Sequence, residues 1–377
     1  MKKVLSYDPK THRCSREQYE LISTIVEPIL SELHSYIIGH KGAVTRTVMS
    51  LFAVGQIGIN PVTSRSYMSC GHILFIGPTG TGKTELCKCL AQLTGGKHKR
   101  VQGVPDLQAS DITGFELLSL RSDETLRFRE GPVFANVLLV DEINRIPPKA
   151  NSGLLQAMGE GIVTYADKTY VLQEPFLCLG TMNPTEQGGT YPLTEALADR
   201  IMFAELMSEA TVDQQIQIAR QTEKIIDKEF PAITNPDAVN EVRKYIFKNV
   251  YISDDVLNYC ARLIEAVNHP QEAGLFIEER KLLGGAQLFR QTPPLNPRTT
   301  MFLRSAAKAQ AAFRYRNYVI HQDVIKIVPS VFRTRLHLIT PTAKNTLVDE
   351  DGDSLYRSEQ ELVNGLIKQA LEGVPIA

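Results

Sequence analysis

Residues 77–84 read Gly77-Pro78-Thr79-Gly80-Thr81-Gly82-Lys83-Thr84, a glycine, four residues, then Gly-Lys-Thr. Glycines at this spacing let a tight loop turn successive backbone N–H groups inward, a cradle for phosphate oxygens. Lys83 would reach the outer phosphates and the Thr84 hydroxyl would ligate Mg²⁺. An apolar run over residues 72–76 precedes the loop and an apolar-periodic segment over residues 85–93 follows it. That is the strand–loop–helix setting the motif requires, and the helix adds its positive dipole end to the cradle. Further on, Val137-Leu138-Leu139-Val140-Asp141-Glu142 is an apolar strand ending in two acids. Such a pair holds Mg²⁺ through Asp141 and activates an attacking water through Glu142. Asn183, in Thr181-Met182-Asn183-Pro184, follows the next strand. It reads equally as a turn residue or as a side chain orienting water beside the third phosphate.

These groups need a parallel sheet to bring them together. Strands are expected over residues 73–76, 99–102, 134–140 and 176–181, alternating with helices over 85–93 and 150–160. Strand–helix alternation makes the first half an α/β domain with a mostly parallel sheet. Hairpins are expected where residues 115–118 and 125–129 flank a polar turn at Ser122-Asp123-Glu124, and where 162–165 and 169–172 flank Ala166-Asp167-Lys168. Upstream, residues 16–38 carry apolar positions at helical spacing, and a second helix runs to about Ala53. From about Ser208 the pattern turns helical, over 211–228, 237–247, 254–267, 299–316, 322–331 and 358–371. Residues 282–289 suit a short strand or a helix, and the acidic 349–353 segment reads as a solvated loop. The expected division is a core over 1–207, a connecting helix and linker over 208–236, and a smaller helical domain over 237–377.

The chain has 377 residues and a formal net charge of −1, so no global charge invites nucleic acid or a membrane surface. Its six cysteines form no Cys-x-x-Cys pair and its eight histidines show no metal-ligand spacing, so free thiols are expected. No signal peptide is visible and the apolar runs are too short to span a bilayer, which leads to the expectation of a soluble cytoplasmic protein.

Two arginines draw notice by position. Arg200 ends Ala198-Asp199-Arg200 just before a short apolar strand, and Arg298 follows Asn296-Pro297 at a helix start. Surface ion pairing is the ordinary fate of either.

The chain resembles the MoxR-type AAA+ ATPases over nearly its whole length. The resemblance rests on Ile38-Gly39-His40, the loop at 77–84, Pro105-Asp106-Leu107-Gln108-Ala109-Ser110-Asp111-Ile112-Thr113-Gly114, and Glu130-Gly131-Pro132-Val133-Phe134-Ala135-Asn136. It continues through Asp141-Glu142-Ile143-Asn144-Arg145, Leu155-Gln156-Ala157-Met158, Asn183-Pro184-Thr185-Glu186, Gly189-Thr190-Tyr191-Pro192-Leu193 and Ala198-Asp199-Arg200. It implies an α/β P-loop core with β-hairpin inserts, a smaller all-helical lid, and ATP with Mg²⁺ at the interface of a ring, usually a hexamer. It implies that Ile38 and Gly39 pack against adenine and that Asn183 is sensor 1. Arg200 then matches the arginine finger acting on a neighbouring subunit, and Arg298 the lid arginine acting within its own. The lid motif departs from the family's usual Gly-Ala-Ser-Pro-Arg, reading Leu295-Asn296-Pro297-Arg298, and Thr334-Arg335 replaces a His-Arg pair. The P-loop is closer to the general pattern than to the family's Val-Pro-Gly form.

The implied output is chaperone-like remodelling of a client protein, often with a von Willebrand factor A-domain partner. The alternative is a nucleic-acid motor of the helicase-like branch. Its basic footprint is thin: Arg121, Arg127 and Arg129 are offset by Asp123, Glu124 and Glu130, and the second hairpin offers only Lys168 beside Asp167.

Overall fold

The computed structural model describes residues 13–118, 126–183, 189–225, 230–269, 273, 289–291, 295–338 and 359–376. The turn at Ser122-Asp123-Glu124, Pro184-Thr185-Glu186, most of 282–289 and the acidic loop at 349–353 lie outside these residues.

The N-terminal helix expected as one piece is a helix with a widened turn: α1 (Arg16–Leu21), a π-turn (Ile22–Val26) and α2 (Glu27–Tyr36). Pro28 has no N–H for the ladder, and the Ser23 and Thr24 hydroxyls both donate to the Glu20 carbonyl. Both effects loosen α-helical pairing at that turn. Gly39 and His40, with φ of 77° and 48°, break the chain sharply before α3 (Lys41–Phe52).

A hairpin that the sequence reading passes over comes next: β1 (Val54–Ile59) and β2 (Ser66–Cys70), antiparallel. Gly55 and Gly58 dilute its strand signal. The usable clue was Asn60-Pro61, where the Asn60 side chain accepts from the N–H groups of Val62 and Thr63.

The core sheet follows from β3 (Ile73–Ile76), α4 (Lys83–Leu93), β4 (His98–Gln102), α5 (Ala109–Thr113), and the hairpin β5 (Gly114–Leu118) and β6 (Leu126–Glu130). Then come β7 (Val137–Asp141), α6 (Asn151–Glu160), the hairpin β8 (Ile162–Tyr165) and β9 (Lys168–Val171), β10 (Leu177–Met182), α7 (Glu195–Ala198) and β11 (Phe203–Leu206). The strand expected from Phe134 starts only at Val137. The Phe134 and Ala135 N–H groups donate to Gly131 and Val133, so the chain is still turning there.

Five strands form one parallel sheet in the order β11-β3-β10-β7-β4. Their alternation splits the core in two. Ile73, Phe75, Leu139 and Leu179 join one cluster with α3 and α4, while Leu74, Ile76, Leu138 and Val140 join another with Leu154, Ala157 and Met158 of α6. Strands apolar on both faces are what a sheet covered by helices on both sides requires. Because β3 and β7 both flank β10, their C-terminal ends gather the loop at 77–84, the acids and Asn183 at one edge. Ligands of parallel sheets bind at that edge.

The helical part comprises α8 (Val212–Ile225), α9 (Pro236–Asn249), α10 (Asp254–Asn268), α11 (Pro297–Ala312), α12 (His321–Phe332) and α13 (Glu359–Gly373), with a small pair of strands, β12 (Phe289–Gln291) and β13 (Leu336–Leu338). Asn235, Ser253 and Asn296 cap α9, α10 and α11 through side-chain oxygens that accept backbone N–H groups. Phe302 and Leu303 of α11 and Val324 and Ile327 of α12 share the cluster that holds Ile73 and Phe75, so the helices and the sheet bury one continuous core. α11 ends four residues before the expected Arg316, where Tyr315 takes a left-handed φ of 54°. Among the described residues no helix is long and apolar enough to cross a membrane. All six cysteines are free and buried; Cys87 and Cys89 project differently from α4, yet α4 lies between α2 and the sheet and both are covered.

Candidate functional site

The loop at 77–84 has the geometry its glycines foretell. Gly77 sits at φ 154°, and a Cβ there would lie 2.0 Å from the Met207 carbonyl oxygen, so no side chain fits. Gly80 and Gly82 have φ of 77° and 81°, with open space where a Cβ would point. α4 begins at Lys83 directly after Gly82. The Lys83 side chain is buried and folds back on its own loop, Nζ donating to the carbonyls of Gly77 at 2.9 Å and Pro78 at 3.1 Å.

A cleft of about 520 Å³ opens above this loop. It is lined by Thr79, Gly80, Thr81, Gly82, Lys83 and Thr84 on one side and by Asp141, Glu142, Thr181 and Asn183 on the other. Arg100 and Gln102 of β4 complete it, together with Glu85. The volume is within the range of small-ligand sites.

One hydroxyl organises both acids. Thr181 Oγ1 donates to Asp141 Oδ1 at 2.5 Å and accepts from the Glu142 N–H at 2.9 Å. Glu142 is held at a left-handed φ of 53°, a costly conformation that occurs at functional turns. Its carboxylate pairs with Arg145 at 3.1 Å. Gly103 backs the turn: its N–H donates to the Asp141 carbonyl at 2.7 Å, and an added Cβ would lie 2.1 Å from the Glu142 carbonyl oxygen.

The roles of Thr181, Arg100 and Gln102 were not read from sequence. β4 pairs with β7 in parallel register, Gln102 opposite Asp141, and the two-residue period puts Arg100 on the same face. Arg100 Nη2 donates to Asp141 Oδ2 at 2.7 Å and to Gln102 Oε1 at 2.6 Å. The only available signal was a charged residue in a strand bound for the sheet edge.

Lys83, Thr84, Asp141, Glu142 and Asn183 therefore share one cleft, and Ile38, Gly39, Arg200 and Arg298 lie outside its lining. Gly39 lies under the Gln214 side chain of α8, 2.9 Å from where its Cβ would be. Burial holds the neighbouring His40 below its ordinary pKa.

The Arg200 side chain lies between α7 and the C-terminal end of α6. Its Nη1 donates to the Ala196 carbonyl at 3.0 Å, and Gly159 makes room for it, an added Cβ lying 3.0 Å from Nε. Arg298 pairs with Asp199, the residue just before Arg200. The Asp199 carboxylate also accepts from Asn296 Nδ2 at 2.9 Å. Arg335, fully buried, donates to the Asp199 and Ile201 carbonyls at 3.2 and 3.0 Å and stacks over the Phe302 ring. The start of α11 and the end of the lid thus grip the 199–201 turn. Burial first, then the Arg298 cation, pushes the Arg200 guanidinium below the usual arginine range. Arg298, expected to act on a phosphate in its own subunit, is bound to Asp199, on the same turn as Arg200.

The two hairpins pack on each other through aromatic rings, Phe128 stacked on Tyr170 at 4.2 Å. Lys168 pairs with Glu116 of β5 at 3.6 Å.

Comparison with known proteins agrees with this geometry. Residues 72–203 match the family described as "ATPase family associated with various cellular activities (AAA)", and residues 295–355 match "AAA lid domain". The chain is 32% identical to the uncharacterised protein YeaC of Bacillus subtilis, over 77% of this chain and 85% of that one. It is also 32% identical to chaperone MoxR1 of Mycobacterium tuberculosis, over 72% of this chain and 69% of that one. The crystal structure of a putative ATPase from Cytophaga hutchinsonii superposes with a TM-score of 0.73 at 28% identity, covering 94% of this chain and 96% of that one. The phosphate-loop cleft, the paired acids beside it and these relatives together make the chain an ATPase of the MoxR-type AAA+ family.

Proposed function

We infer that the cleft binds Mg²⁺-ATP and hydrolyses it in a ring oligomer, and that the cycle remodels or activates a client protein. The carrying observation is that Lys83, Thr84, Asp141, Glu142 and Asn183, spread over a hundred positions, line one cleft. These residues fit the nucleotide and its metal. The loop is open at Gly80 and Gly82, and a hydroxyl and a carboxylate, Thr84 and Asp141, face the same space. Bound there, Mg²⁺ would supply charge neutralisation at the phosphates.

The chain's own groups divide the remaining work. Lys83 leaves the Gly77 and Pro78 carbonyls to bind phosphate. Thr181 keeps Asp141 and Glu142 in fixed relation, and Glu142 accepts the proton of the attacking water while Asn183 orients that water. Arg200 lies outside its own cleft, which supports its acting on the cleft of a neighbouring copy. In that role Arg298, Asn296 and Arg335 are positioning residues, because they hold the turn that carries Arg200. The helical lid is accordingly read as the domain from about residue 237 onward. Ile38 and Gly39 are assigned to the adenine side, beneath α8.

The test pairs two measurements. Glu142→Gln should bind ATP normally while hydrolysis falls by about 10²- to 10⁴-fold. Specific activity of the native protein should fall on dilution, because a finger supplied in trans contributes about 10³–10⁵ in rate. Normal turnover in the variant removes Glu142 as base, and constant specific activity down to monomeric protein removes the trans finger.

The protein named chaperone MoxR1 supports a protein client over nucleic acid, as does the Lys168–Glu116 pair, which occupies the one basic residue of the second hairpin. Proteins co-purifying with ATP-trapped Glu142→Gln would identify the client and any von Willebrand factor A-domain partner. Strong, salt-sensitive stimulation of the ATPase by DNA would overturn this choice.

A further inference from the structure

The cleft contains a cation that the nucleotide reading leaves without a task. Arg100 projects from β4 into the lining, its side chain 47% exposed, and is bonded to Asp141 Oδ2 and Gln102 Oε1. Asp141 is thereby engaged at both oxygens, since Thr181 holds Oδ1. Thr181 is a neutral partner and compatible with a metal nearby. Arg100 is a full positive charge on the carboxylate through which Mg²⁺ would be held, and two cations competing for one carboxylate oxygen repel each other strongly at this range.

We propose that Arg100 changes partners during loading: it neutralises Asp141 in the empty cleft and turns to the nucleotide phosphates when Mg²⁺ takes Asp141. The inference rests on the nucleotide reading given above. Three features carry it. The guanidinium is rigid and always charged, so it leaves Asp141 by moving rather than by losing a proton. It is half exposed, so it has room to move. Gln102 offers a second acceptor at 2.6 Å that does not depend on Asp141, a pivot that keeps the guanidinium at the cleft wall while its other donors swing to phosphate. Planar guanidinium matches phosphate oxygens as readily as carboxylate.

The exchange has two signatures, one without nucleotide and one with it. In nucleotide-free protein, Mn²⁺ replaces Mg²⁺ as the probe and its binding is followed by electron paramagnetic resonance. Native protein should bind Mn²⁺ weakly. Arg100→Gln should bind it about tenfold or more tightly, and adding Asp141→Asn should remove that gain. With nucleotide, a fluorescent ATP analogue in the presence of Mg²⁺ should bind Arg100→Gln about 10- to 100-fold more weakly, because one charge-assisted contact to phosphate is lost. Arg100→Lys, which keeps the charge and disturbs β4 least, should fall between native protein and Arg100→Gln in both titrations, and its melting temperature reports whether the strand is intact.

Unchanged Mn²⁺ affinity in Arg100→Gln overturns the proposal, as does a gain that survives Asp141→Asn. Undiminished binding of the analogue overturns it equally, since Arg100 would then be a fixed partner of Asp141. If native protein itself fails to bind the analogue, the nucleotide reading fails; if native protein binds it and the variant matches, only the exchange fails.

Discussion

Cutting Asp199 out of its contacts with α11 tests whether the lid controls Arg200. Asp199→Ala removes the acceptor of Arg298 and of Asn296, two groups that bring the lid onto the 199–201 turn. A hydrogen bond to a charged partner contributes about 1.5–3 kcal/mol and a neutral one about 1 kcal/mol. The Asp199 side chain is 17% exposed and that of Arg298 29%, so solvent screening trims the sum. The expected loss is about 2–3 kcal/mol for Asp199→Ala and about 1–2 kcal/mol for Arg298→Ala. With 377 residues and an unfolding entropy of about 2.1 cal/mol/K per residue, the first corresponds to a melting shift of about 3–4 °C. The double variant completes the cycle, with an expected coupling of about 1–2 kcal/mol. Urea unfolding measures all four proteins. Steady-state ATPase then reports on Arg200: if it is the proposed finger, displacing it by about an ångström should lower kcat about 10- to 100-fold while ATP affinity stays unchanged. Additive single variants would refute the pairing. Full kcat in a destabilised Asp199→Ala would refute the claim that the turn positions Arg200.

Two further outcomes follow from buried positions, one at the N-terminal end of the parallel sheet and one behind the Glu142 turn. His72, immediately before β3, is held neutral: its Nε2–H donates to the Met158 carbonyl at 3.0 Å and its Nδ1 accepts the Cys178 N–H at 3.1 Å. Burial pulls its pKa down to about 4, so the unfolded chain binds this proton first as pH falls. Its stabilising contribution is complete above about pH 6.5 and is lost towards pH 4, roughly 3 kcal/mol in all. Urea midpoints across that range should fall in native protein, and the slope should flatten in His72→Gln. Gly103→Ala places a Cβ against the Glu142 carbonyl oxygen and must push the Glu142 turn aside at a cost of about 1–3 kcal/mol. It should lower kcat more than it weakens ATP binding; equal kcat in a folded variant would show that the Glu142 turn tolerates displacement.

Much of this site is legible in the chain because its signals are local. Glycine spacing before Lys83, an apolar strand ending in Asp141 and Glu142, and a strand ending near Asn183 each announce themselves within ten residues. The parallel sheet that joins them follows from strand–helix alternation. The pairing of Arg100 with Asp141 is not local: it depends on β4 lying beside β7 in one register, and a one-residue slip would turn Arg100 to the other face. Asp199 likewise reads as an ordinary helix-end acid until α11, a hundred residues later, folds back on it. The β1–β2 hairpin was hidden for a different reason, since glycines at 55 and 58 erase the alternation by which strands are recognised.

The grip of α11 and Arg335 on the 199–201 turn makes lid and core depend on each other. Arg335 has no solvent exposure; its Nη1 is held locally by the Val331 carbonyl and the Thr334 hydroxyl, while its Nη2 donates to two backbone carbonyls of the other half of the chain. Lid and core are therefore not interchangeable parts. A chimera joining this core to a lid with small residues at 295–296 would lose the Asn296 contact to Asp199, one of the bonds that fix the turn before Arg200. Changing this lid therefore changes what fixes the turn at 199–201, and a substitution in either half of the chain is felt in the other.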